Sequence, residues 1–218
     1  MSLNMSWEEI VGALLLGWRM TLTLAGIAMV LAFLGGTVIA ILRVSPIPIF
    51  RAIGTTYVEL VRNTPLTVLF FFAVFLSPHL GIKATFFQAA VFALTAYNFC
   101  QFSEAVRSGL NAVPKGQSEA SRALGMTTMQ MLLSVIIPQA IRAMIPPLAS
   151  GIVIVVKGSS VAGVFGVVEL INSMNNLSGL YGEKVIQILV VVVLLFLAVN
   201  LPIGFFSNFM ERRLKMVR

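Results

Sequence analysis

Stretches without a single charged residue recur along the chain, at Met20–Leu42, Asn63–Ile82, Ala84–Ser103 and Val185–Met210. A fifth, Ala143–Val168, is broken only by Lys157. Each meets the roughly 20 residues that a helix needs to cross hydrocarbon. The pattern predicts an all-α polytopic membrane protein with about five transmembrane helices, forming one domain over residues 1–218. The second span is expected to begin before Arg62, near Ala52, which makes it long, tilted or kinked at Pro65. One polar block, Pro114–Pro138, lies between the third and fourth spans.

Gly and Pro punctuate the connections. Ser45-Pro46-Ile47-Pro48 turns the first loop, and Ser77-Pro78 with Gly81 makes a tight turn after the second span. Gly158–Gly182 is rich in Gly, Ser and Asn and reads as a re-entrant segment or an outer loop. Irregular backbone at membrane depth is tolerated only against protein or a water-filled cavity.

Composition agrees with a bilayer as solvent. Hydrophobic residues make up 58% of the chain and charged residues 11%, where a soluble domain carries about a quarter charged. The mean hydropathy is +0.97. A net charge of +7 raises nucleic acid as a partner. The basic residues, however, are spread among apolar segments with no aromatic-interleaved stripe, so none is expected. Five spans put Arg43, Arg51, Arg107, Lys115, Arg122, Arg142, Arg212, Arg213, Lys215 and Arg218 on one side, and Arg19, Lys83 and Lys184 on the other. The positive-inside rule then puts the N-terminus outside and the C-terminus in the cytoplasm. Trp7, Trp18 and Tyr181 suit the outer interface, and the polar block is cytoplasmic. MSLNMSWEEI has no positive n-region, so no cleavable leader is expected. The lone Cys100 excludes an internal disulfide.

Within the block, Ser118–Leu124 reads as a short helix with Gly125 at its C′ position. Thr127 caps a second helix, and Gln130 three residues on completes a capping box. Met131, Leu132, Val135 and Ile136 give that helix an apolar face. Pro138 is expected to end it, and Pro146-Pro147 to interrupt the start of the fourth span. The expected product is a short exposed helix on a stiff elbow.

Glu119-Ala120-Ser121, three residues, Gly125, nine residues, then Val135-Ile136-Ile137-Pro138 resembles the EAA loop of ABC-importer permeases. The spacing is intact, with Ser121 for Ala, Val135 for Ile and Ile137 for Leu. Arg62-Asn63-Thr64-Pro65-Leu66, Ala96-Tyr97 with Glu104 and Arg107-Ser108-Gly109, Pro114-Lys115-Gly116-Gln117, and Ile137-Pro138-Gln139-Ala140 resemble the polar amino-acid branch. Arg43-Val44-Ser45-Pro46 with Val61–Thr67 is similar to its glutamate permeases. The likeness runs over about residues 18 to 210.

The resemblance implies a coupling helix that docks on an ATP-binding subunit. It places that role on Glu119, Ala120 and Gly125 by motif position, with Lys115, Gly116, Ser121 and Arg122 beside them. It also implies a second permease subunit, identical or homologous, two ATP-binding subunits carrying ATP and Mg, and an extracellular substrate-binding protein. The setting is a bacterial cytoplasmic membrane, with lipid around the spans. The chain itself is expected to bind no cofactor or metal. A phosphate-cradling loop needs G-x-x-x-x-G-K-[ST], and no Lys here has Gly before it and Ser or Thr after it. Asp is absent and the one His, His79, lies by the turn Pro, so no catalytic constellation is expected.

Charges inside spans face a cavity or a partner. Glu59 and Arg62 are three apart and either pair or serve a path. Glu104 and Arg107 repeat that spacing. Asn98, Gln101 and Glu104 share one helical stripe. Lys157 precedes Gly158, Ser159 and Ser160 and either lines a cavity or bonds an interrupted helix end. Arg62, Thr64, Asn98, Gln101, Glu104, Lys157, Ser159 and Ser160 are the expected substrate path. Cations and hydroxyls suit an amino acid's carboxylate; Glu59 or Glu104 suits its ammonium. The reading is an importer permease for a polar amino acid, glutamate favoured, with glutamine or a basic amino acid as alternatives. An ATPase-independent channel or scaffold is the rival class.

Overall fold

A cap written in the sequence starts the first helix. Ser6 Oγ accepts from the Glu9 N–H (3.2 Å) and Glu9 Oε2 accepts from the Ser6 N–H (2.7 Å). The computed structural model describes residues 5–215, with side chains through Arg213, so Arg218 lies outside the described residues. From that cap α1 runs Trp7–Val44, about 57 Å at 1.5 Å per residue. It is far longer than the charge-free stretch that signalled it. Its buried positions, among them Leu14, Gly17, Thr21, Leu24, Ala28, Ala32, Gly36 and Ala40, recur every three to four residues. They are mostly small, so the backbone of α5 (Phe86–Asn111) lies close. A Cβ on Gly36 would sit 2.7 Å from Phe102 Cβ.

The second span is broken, as Pro65 predicted. Helix α2 (Pro48–Arg62) and the helix Leu66–His79 meet at 101° across Asn63–Pro65. The second piece comprises α3 (Leu66–Phe71), a π-turn Phe72–Leu76 and α4 (Ser77–His79). His79 is exposed, its Nδ1 2.8 Å from the Phe75 carbonyl, and Gly81 takes a left-handed φ of 74° in the turn that follows. Thr85 and Gln88 then cap α5 reciprocally.

Beyond α5, α6 (Lys115–Ala123) starts three residues earlier than Ser118 and is followed by Gly125 at φ 75°. The Thr127–Gln130 capping box opens α7 (Thr128–Met131) as expected. Two expectations for prolines fail here. Pro138 does not end the helix: a π-turn, Leu132–Ile136, leads into α8 (Ile137–Gly158). Nor do Pro146 and Pro147 interrupt α8, which runs through both. Among the described residues each π-turn is followed two residues on by a proline, Pro78 after Phe72–Leu76 and Pro138 after Leu132–Ile136. The wider turn accommodates the missing N–H and the bulk of the ring without breaking the rod. The Pro146 carbonyl accepts from Ser150 Oγ and Ser207 Oγ, both at 3.2 Å, and so ties α8 to Ser207.

Helix α8 ends in a seven-residue 3₁₀ segment, Ser159–Phe165, closed by Gly166 at φ 87°. Gly158–Gly182 is therefore mostly helical, interrupted at Gly166–Glu169. Its α9 (Leu170–Leu180) packs back on α1, and α10 (Val185–Lys215) packs on α8 and α9. Among the described residues three helices are long and apolar enough to cross a membrane, or four if the bent pair counts as one. Helix α5 lies between α1 and α8 at the centre of the bundle. It carries Thr95, Asn98, Ser103 and Glu104 where the other spans carry aliphatic residues, and this polarity takes it below the hydropathy of its neighbours. Many large apolar side chains point outward, Leu16, Val30, Leu34, Ile41, Phe92 and Ile186 among them, as a lipid-facing surface requires.

Candidate functional site: a capped loop and a polar seam

The α6–α7 loop carries the residues on which the resemblance places coupling to an ATP-binding subunit. Lys115, Gly116, Glu119, Ala120, Arg122 and Gly125 are all exposed. Ser121 is not: it is 4% exposed and its Oγ donates within α6 to the Gln117 carbonyl at 2.7 Å, so its side chain faces the chain's own interior. The Met126 N–H donates to the Ser121 carbonyl (3.1 Å) and the Gly125 N–H to the Arg122 carbonyl (2.9 Å), which closes the helix end around Gly125. This turn lifts Leu124 into the open at 82% exposure, with Met129 and Leu133 exposed nearby. Sequence reading missed these apolar residues because a single Leu after a polar helix has no periodicity to mark it.

The second element is a seam of polar residues on α5. Glu104 is bound from two sides. Arg43 Nη1 donates to its Oε1 at 2.6 Å, and Arg107 Nη2 and Nε donate to its Oε2 at 2.9 and 3.2 Å. The expected pairing with Arg107 is present, and Arg43 from α1 is an added partner that sequence spacing had no means to find. A cavity of about 500 Å³ opens beside this cluster, lined by Gln101, Glu104, Arg107, Ser108, Asn111 and Pro147. Asn98 lies on the same helix but turns inward. It is fully buried, its Nδ2 donating to the Leu94 carbonyl at 2.7 Å.

The remaining path residues gather around the break in the second span. Arg62 is exposed, and Thr64 donates to the Leu60 carbonyl at 2.8 Å. A Cβ on Gly158 would lie 3.2 Å from Leu66 Cδ2, so the end of α8 abuts the start of α3. Lys157 is exposed there. Ser159 is buried and donates to the Val156 carbonyl, and Ser160 donates to the Lys157 carbonyl. Both hydroxyls thus satisfy the backbone where α8 tightens into 3₁₀. Glu104 forms ion pairs with both Arg43 and Arg107. The side chains of Glu59, Arg62 and Lys157 make no ion pair among the described residues.

A fully buried carboxylate was also missed. Glu169 caps α9, its Oε1 accepting from the Asn172 N–H at 2.9 Å. Its Oε2 accepts from Thr21 Oγ1 of α1 at 3.1 Å, and the same hydroxyl oxygen accepts from the Leu170 N–H at 3.1 Å. Burial pushes the carboxyl's pKa up, opposed by these donors. A Cβ on Gly163 would collide with Glu169 Oε1, and Asn172 Nδ2 donates to the Gly163 carbonyl at 3.1 Å. The knot ties the 3₁₀ segment after α8 to α1. Its only sequence signal is a single acid in an otherwise uncharged stretch, followed three residues later by Asn.

Broken apolar helices, a capped polar loop and charges held in the bundle describe a membrane transport component. The chain belongs to the family of binding-protein-dependent transport system inner membrane components, whose pattern it matches over residues 32–216. It is 35% identical over 199 residues to the probable glutamine ABC transporter permease protein GlnM of Bacillus subtilis, covering 91% of this chain and 92% of that one. It is 32% identical over 220 residues to the glutamate transport system permease protein GluC of Corynebacterium glutamicum, covering 95% and 96%. A crystal structure of an amino acid ABC transporter with histidines superposes with a TM-score of 0.85 at 27% identity, over 97% of this chain and 100% of that chain. The chain is a transport subunit, not an ATPase, in line with its lack of a phosphate-binding loop.

Proposed function

We propose that this chain is the permease subunit of an ABC importer that moves a polar amino acid inward across the bacterial cytoplasmic membrane. The observation that carries the reading is the α6–α7 loop: doubly capped, exposed, and spaced from Glu119 through Gly125 to Pro138 as in coupling loops. Two permease subunits pair about an axis normal to the membrane, with the N-termini outside and the C-termini in the cytoplasm. Each carries five spans, with the bent α2–α3 pair as the second and α5 as the third. ATP and Mg sit on two ATP-binding subunits. Their closure draws the coupling loops together, and the spans open outward to receive substrate from an external binding protein. Hydrolysis resets them inward.

The substrate is of the glutamate and glutamine class. The names of the relatives span both amino acids. Around the break in the second span and the end of α8, two cations, Arg62 and Lys157, and one acid, Glu59, make no ion pair among the described residues, which favours glutamate with its two carboxylates and one ammonium. Uptake by the reconstituted complex, competed with Glu, Gln, Asp, Arg and His, tests this. Competition by Glu and Gln is expected. Competition by Arg alone would remove the assignment.

A further inference from the structure

Helix α2 is two-sided. Arg51, Thr55, Glu59 and Arg62 recur at helical spacing along one stripe, while Ile49, Ile53 and Leu60 are exposed on another. Contacts with α5 give the depth of its far end. Tyr57 Oη donates to the Ala96 carbonyl at 2.7 Å, and the Cys100 thiol lies 3.9 Å from the Val58 carbonyl. Ala96 and Cys100 flank the midpoint of the 26-residue α5. Glu59 and Arg62 therefore stand near mid-bundle, one turn apart, where the second span breaks. Both are exposed, and neither side chain has a hydrogen bond or ion pair among the described residues. Charges held at such depth are not presented to lipid; they face water, a ligand or a partner.

The other acid suited to an ammonium group is already committed. Glu104 has both oxygens engaged by Arg43 and Arg107. A third cation at Glu104 would compete with two guanidinium groups held in place by their own helices. Glu59 meets no such competition, and Arg62 beside it supplies a planar donor fork for a carboxylate.

We propose that Glu59 and Arg62 together read the zwitterionic head of the transported amino acid, Glu59 taking the α-ammonium and Arg62 the α-carboxylate. The assignment rests on the importer reading above. It makes Glu104 a positioning residue, which holds α1 to α5 at the wall of the inner cavity. Passage past the break then selects for an intact amino-acid backbone, whatever the side chain.

The test uses the assembled permease–ATPase complex, with two probes: L-glutamine, and glutaramate, which lacks the α-amino group. Binding to the complex without its binding protein is read in detergent, and uptake with it in liposomes. Wild type is expected to bind L-glutamine at least about tenfold more tightly than glutaramate, the scale of one charged hydrogen bond. Glu59→Gln is expected to erase that preference by losing glutamine affinity alone, while Glu59→Asp retains part of it. Equal binding of the two probes by wild type, which needs no variant to fold, would overturn the assignment. So would failure of the transporting wild-type complex to bind glutamine without its binding protein. Recovery of uptake by the double exchange Glu59→Arg with Arg62→Glu would show a structural pair, within one copy or between two, and would overturn it as well. Absence of any ATP-driven uptake of glutamine or glutamate by wild type would instead remove the importer reading.

Discussion

Arg43 Nη1 lies 2.6 Å from Glu104 Oε1, joining the last turn of α1 to α5 across 61 positions of sequence. The Arg43 side chain is 13% exposed and that of Glu104 30%, so the pair is largely shielded from solvent. Removing one member leaves the other without its partner, which costs more than the pair contributes. Glu104→Gln is expected to destabilise the purified complex by about 2 kcal/mol, read as a lower Tm. It should leave the affinity of correctly folded complex for L-glutamine within about twofold. A large loss of affinity at unchanged Tm would return Glu104 to the substrate path.

Thr21 and Glu169 make a second long-range tie. Thr21→Val removes a donor to a fully buried carboxylate and an acceptor for the Leu170 N–H. The expected cost is about 1–3 kcal/mol, seen as a lower Tm and faster proteolysis within 159–169. Thr21→Ser should retain most of the stability, because the hydroxyl is kept. Equal stability of Val and Ser variants would show that the hydroxyl is not what holds the 3₁₀ segment.

The same carboxylate predicts a pH dependence. Its folded pKa is raised, chiefly by burial. The protonated form is therefore favoured by folding, and the associated stability is complete below the ordinary Glu pKa. It is lost as pH rises from that value through the raised folded value. The difference in Tm between wild type and Glu169→Gln should thus shift against wild type as pH rises through that window. A flat difference would place the carboxyl's pKa at its ordinary value.

Lys157 separates the two favoured substrates. It is exposed where α8 ends against the start of α3, and its side chain makes no ion pair among the described residues. Lys157→Gln is expected to lower glutamate uptake about tenfold and glutamine uptake much less, since only glutamate carries the extra carboxylate. Equal effects on both would mean that Lys157 serves the helix end rather than the side chain of the substrate.

Much of this architecture was legible as local chemistry. The capping boxes at Thr85 and Thr127, the left-handed Gly125 and the break at Pro65 follow from one to four neighbouring residues each. Prolines misled because their effect depends on what precedes them. Pro138 is absorbed by a π-turn, while α8 runs through Pro146 and Pro147 unbroken. Partners distant in sequence were out of reach. Arg43 for Glu104 and Thr21 for Glu169 are set by helix packing, which no spacing rule encodes. The depth of Glu59 became visible only once Tyr57 was seen to reach Ala96.

The central claim is that the α6–α7 loop receives work from a separate ATP-binding chain. Purification of the tagged chain from native membranes tests it most directly, comparing wild type with Leu124→Asp combined with Met129→Asp. Both positions are exposed, at 82% and 64%, so the substitutions spare the chain's own core. The account predicts that an ATP-binding subunit co-purifies with wild type and is lost from the double variant, which still inserts in the membrane. Wild type that transports amino acid while purifying with no nucleotide-binding chain would contradict it, as would a double variant that keeps the partner at full yield.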